Sequence, residues 1–192
     1  MYVLVAGLLI FLSIHSTRIF AEGWRNRTIE RVGKNRWMRV YTLLSIAGFV
    51  LIVWGYGLAR QMPVLLWDPP LWGRHLTVTL MAVSFFLVAQ NGSPQGPLVA
   101  RLGHPMMIAV GIWSAAHLMA NGTLADLLMF GSFLIWSVLG YAAAVKRDRM
   151  AGTERQPAGW LADLGPGAAG LALWFVFVWK AHQWLFGVSP LG

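Results

Sequence analysis

The side chains in this sequence with the most chemical potential are five histidines, His15, His75, His104, His117 and His182, each lying in or at the edge of a long apolar stretch. Imidazole at membrane depth is rare and costly unless it faces partners, and the neutral ring is a ligand for haem iron and other metals. Lys180 is the one charged residue among them; no Asp or Glu falls within the apolar stretches. A proton- or sodium-coupled carrier normally places a carboxylate there, so secondary transport is disfavoured. Hydrolysis by a serine, histidine and acid set likewise lacks its orienting carboxylate, unless Asp68 or Asp126 reaches in from a loop. There is no cysteine, which removes disulfides, thiolate-bound metals, iron–sulfur clusters and covalently attached c-type haem.

The elements that must position these histidines are membrane helices. Of 192 residues, 57% are hydrophobic and 11% charged, against about 25% charged in a soluble domain. Stretches free of Asp, Glu, Lys and Arg cover 1–17, 40–59, 75–100, 102–125, 127–145 and 164–179. Each approaches the roughly 20 residues that carry a helix across about 30 Å of hydrocarbon, and none alternates as a barrel strand would. Turn residues trim the predicted helices to 2–17, 40–59, 75–90, 104–120, 124–145 and 167–186. The expected fold is therefore all-α, a polytopic bundle of about six transmembrane helices forming a single domain over 1–192. Pro105 reads as a first-turn proline and Thr123 as an N-cap. The stretch 146–165 reads as a solvated loop.

Charge orients the bundle. Arg18, Arg25, Arg27, Arg31, Lys34, Arg36 and Arg39 follow the first helix, and Arg101, Lys146, Arg147, Arg149 and Arg155 fall on the same face; the opposite loops hold Arg60 and Arg74. By the positive-inside rule the crowded face is cytoplasmic, so a multi-pass protein of the bacterial inner membrane with both termini periplasmic is expected. The net charge of +8 then reflects topology and contact with anionic lipid, and nucleic acid is not an expected partner. Trp67, Trp72, Trp160 and Trp184 read as interfacial belt residues. Met106, Met107 and Met119 read as packing rather than copper ligands.

Depth and phase divide the histidines. His104 lies at the cytoplasmic boundary, His15 in the inner half, His117 and His182 in the outer half, and His75 at the outer boundary. Thirteen residues separate His104 from His117, about 20 Å of rise and some 140° of phase, so the two cannot ligate one shared site. His117 has Gly111 and Ser114 below it and Asn121 above, a small polar stripe suited to the bundle interior or a flat cofactor. A hydrogen-bonded interior histidine is the competing account of His117. Interfacial positions are the competing accounts of His75, His104 and His182.

The segments Phe11-Leu-Ser-Ile-His15-Ser-Thr-Arg18, Arg101-Leu-Gly103-His104-Pro105, Ala116-His117-Leu-Met-Ala-Asn121-Gly122, Leu128-Met-Phe-Gly131 and Ala181-His182-Gln-Trp-Leu-Phe-Gly187 together resemble the NnrU family of bacterial membrane proteins over nearly the whole chain. That resemblance implies a role in denitrification, in nitrite and nitric oxide reduction, with nitrogen-oxide reductase components as partners beside the lipid bilayer. The chain is also similar to the plant and cyanobacterial 15-cis-zeta-carotene isomerases, which implies haem b held by histidines and, as a second function, cis–trans isomerisation of an apolar polyene substrate. Carried onto this sequence, the implied haem and metal ligands are His15 and His117, with His75 and His104 as second choices. This chain lacks the cysteine that the isomerases place near the corresponding fourth-helix histidine. His15 and His117 differ by about 10 Å in depth if their helices stand upright, which depth alone would resolve by pairing His15 with His104, or His117 with His75 or His182. A third reading is a non-catalytic assembly factor whose histidines bond across helices.

Overall fold

A computed structural model describes residues 1–191, and among them the chain is helical almost throughout. In order the helices are α1 (Tyr2–Phe20), α2 (Glu22–Val32), α3 (Lys34–Ala59), α4 (Leu71–Ala89), α5 (Pro97–Leu102), α6 (Pro105–Ala120), α7 (Leu124–Ala151) and α8 (Leu161–Val176). A π-helical turn, Phe177–Ala181, joins α8 to the short α9 (His182–Phe186). α1, α3, α4, α7 and the continuous stretch Leu161–Phe186 are each long and apolar enough to cross a membrane. α6 is apolar but has 16 residues, about 24 Å at 1.5 Å per residue. It is packed between α4 and α7, and α5 precedes it at a corner turned by Gly103, whose φ is 78°.

Neighbours follow the order α3, α1, α7, α6, α4, α8 through the bundle. Small residues set how close they come. A Cβ on Gly7 would lie 2.6 Å from the Ile52 amide nitrogen, and one on Gly48 would lie 2.8 Å from that of Phe11, so α1 and α3 meet backbone to backbone. Leu4, Leu8, Ile52, Ala59, Ala125, Met129 and Phe130 form the apolar core where α1, α3 and α7 converge.

Two departures from the sequence expectation stand out. The basic segment after α1 contains the helix α2, which has no buried residue, and α3 starts at Lys34, so that Arg36 and Arg39 stand on its first turns. Its helicity is supported by Trp24 packed edge-on against Trp37 at 5.8 Å, a contact no local pattern records. The expected solvated loop 146–165 is also shorter than foreseen. α7 continues to Ala151, α8 begins at Leu161, and Asp163 is 2% exposed. Its carboxylate accepts from the Leu98 and Val99 amides at 2.9 and 3.4 Å, satisfying N–H groups at the start of α5.

Candidate functional site

His15 and His117 stand in the same local arrangement. Four residues make slightly more than one helical turn, so each ring can fold back onto the carbonyl below it. The Nδ1–H of His15 donates to the Phe11 carbonyl at 2.7 Å, and that of His117 donates to the Trp113 carbonyl at 2.9 Å. With a carbonyl as the partner, Nδ1 must carry the proton, and the Nε2 lone pair of the neutral ring is left available. Among the described residues no hydrogen bond reaches either Nε2. This is how a metal-binding histidine is usually held, with the far nitrogen fixed by a carbonyl or carboxylate.

Aromatic rings wall both imidazoles. His15 stacks on Phe11 at 4.1 Å between ring centroids, with Tyr41 at 5.2 Å and the edge of Trp136 at 6.2 Å. His117 stacks on Phe130 at 4.7 Å, with Trp113 at 5.5 Å. A continuous ladder connects the two: Phe11 meets Phe133 at 5.8 Å, Phe133 meets Trp113 at 5.5 Å, and Trp113 adjoins His117. Two buried polar atoms lack partners here, Trp136 Nε1 near His15 and Ser114 Oγ one turn below His117. Such orphans carry a desolvation cost that a polar occupant would relieve.

The spacing follows from α7. His117 touches Phe130 and His15 touches Trp136, six residues apart, so the imidazoles are offset by about 9 Å along the bundle. Two imidazoles on one metal stand about 4 Å apart, given bonds near 2 Å. The donors and orphaned polar atoms are of the kind a haem takes, whereas the spacing is not that of two ligands on one iron, with Phe133 and Trp113 bridging the two rings.

The other histidines are elsewhere. His104 is the N-cap residue of α6, and its Nε2–H donates to Asp148 Oδ2 at 2.9 Å. Asp148 lies 18 residues along α7 from Phe130, roughly 27 Å, so His104 and His117 occupy opposite ends of the bundle, as the rise over the thirteen residues between them predicts. His75 is exposed in the second turn of α4. His182 opens α9, half-buried, with Nδ1–H donating to the Val188 carbonyl at 2.7 Å. Among the described residues no three His, Asp or Glu side chains gather into a metal cluster.

A family model described as NnrU protein matches residues 3–190. The chain belongs to the NnrU family. No curated protein and no solved structure matches it.

Sequence reasoning read Asp126 as a loop residue and Asp163 as part of a solvated loop, and both carboxylates are buried. Asp126, 4% exposed, sits in the first turn of α7; its Oδ2 accepts from the Thr123 amide and hydroxyl at 2.9 and 2.6 Å, and Thr123 Oγ1 accepts from the Asp126 amide. The signal was present in Thr123-x-x-Asp126, a reciprocal capping pair. Asp163 gave no comparable local signal.

Proposed function

We propose that this NnrU-family membrane protein binds haem b through His15 and His117 and supports nitrite and nitric oxide reduction in the bacterial inner membrane. The observation that carries the reading is the shared geometry of the two rings, each with Nδ1–H committed to the carbonyl one turn below and Nε2 free. Haem would supply a redox-active iron able to bind and release small ligands. The chain supplies two neutral nitrogen donors, aromatic walls that keep water away, and unpartnered Trp136 Nε1 and Ser114 Oγ as donors to a polar edge. Both imidazoles would hold one iron only with Phe133 and Trp113, which bridge them, turned aside. The basic loops support a cytoplasmic assignment for their face and a periplasmic one for both termini. Protein purified from haem-replete cells should show a Soret band, and cells lacking the protein should respire nitrite and nitric oxide more slowly. Absence of the band, before and after reconstitution with hemin, refutes haem binding.

A second reading, isomerisation of an apolar polyene, is favoured by a groove of about 460 Å³ on the α1–α3 seam, lined by Leu9, Ile10, Ser13, Ile14, Thr17 and Leu44. Expression next to a polyene-synthesis pathway tests it: isomerase activity shifts the cis-to-trans ratio, and an unchanged ratio across several polyenes excludes it.

A further inference from the structure

At the basic end of the bundle the chain leaving α7 reverses at Gly152, whose φ is 60°, and passes the corner at Gly103. A cavity of about 420 Å³ lies between these corners, lined by Arg101, Arg149 and Arg155 together with His104, Tyr141 and Asp148. Arg155 lies over the bare backbone of Gly103, where a Cβ would stand 3.1 Å from the guanidinium carbon. Its Nη2 shares Asp148 Oδ2 with His104. Asp148 is thus spent holding Arg155 and His104 in place. Arg101 and Arg149 make no ion pair and no side-chain hydrogen bond among the described residues. With Glu154 also in the wall, three guanidinium groups face two carboxylates, and one of those carboxylates is already engaged.

A cation is unsuited to such a wall, and an apolar ligand would leave its charges without partners. Planar guanidinium groups match the oxygens of phosphate, with paired N–H donors and lasting charge. We propose that this pocket binds a phosphate-bearing group, with Arg101 and Arg149 as its direct donors and Asp148 as the residue that positions Arg155. The phosphate comes either from an anionic lipid headgroup in the adjoining leaflet or from a soluble phosphate compound.

The test uses the full chain in detergent micelles. Phosphatidylglycerol retention, with phosphatidylcholine as reference, is read by native mass spectrometry, and binding of inorganic phosphate and pyrophosphate by calorimetry. R101Q/R149Q removes two exposed, unpaired side chains, and R31Q/R36Q removes the same charge from the segment after α1. Weakening of roughly tenfold or more in the first variant but not the second is expected. Loss of phosphatidylglycerol retention alone assigns a headgroup, and loss of phosphate or pyrophosphate binding assigns a soluble ligand; both support the site. Three results overturn it: no binding by the unmodified chain, full binding by R101Q/R149Q, or an equal loss in R31Q/R36Q.

Discussion

The Tyr56 hydroxyl donates to Asp126 Oδ1 at 2.5 Å, joining α3 to the first turn of α7 across 70 residues of sequence. Thr123 satisfies the other carboxylate oxygen, so this buried acid is bonded on both sides and serves the packing of the bundle. Tyr56→Phe keeps the ring against Phe130 and removes only the donor. It should lower stability by about 1–3 kcal/mol, the cost of leaving a buried acceptor short of a partner. Thermal unfolding in detergent, followed by circular dichroism, measures this; an unchanged melting temperature would show that the bond contributes nothing.

Asp163 fastens α8 to the first turn of α5. Asp163→Ala strands the Leu98 and Val99 amides and should cost about 2 kcal/mol or more. Gly96→Ala places a methyl group against the same carboxylate and should destabilise as well. Because both substitutions disturb one contact, the double variant should lose less than the two single losses combined. Strict additivity in the unfolding data would separate the two positions.

Topology gives a prediction independent of any ligand. Alkaline phosphatase fused after Gln156 should be inactive, and the same reporter at the carboxyl end should be active, because twelve of the fifteen basic residues crowd the face that holds Gln156. The opposite activities would invert the bundle.

The spans were legible because hydrophobic length is a property of contiguous residues, and the turns because Asn121-Gly122-Thr123 and Gly103-His104-Pro105 announce themselves locally. α2 was not legible. Its helix is rich in arginine, buries no residue fully, and owes its seat to Trp24 meeting Trp37. Asp163 read as part of a solvated loop because its partners, the Leu98 and Val99 amides, lie some 65 residues away. The separation of His104 from His117 followed from rise per residue and is what the structure has. The offset between His15 and His117 was equally readable from rise per residue. The rings of Phe133 and Trp113 between them were not, since they arrive from α7 and α6 by packing rather than by spacing.

Haem binding is most directly tested by the absorption spectrum of purified protein alongside His15→Ala, His117→Ala and the double variant, each checked for folding by its melting curve. The account predicts a Soret band in the unmodified chain, an altered band in each single variant as one nitrogen donor is lost, and no bound haem in the double variant. No band in the unmodified chain even after reconstitution with hemin, or an unchanged band in the double variant, would contradict it.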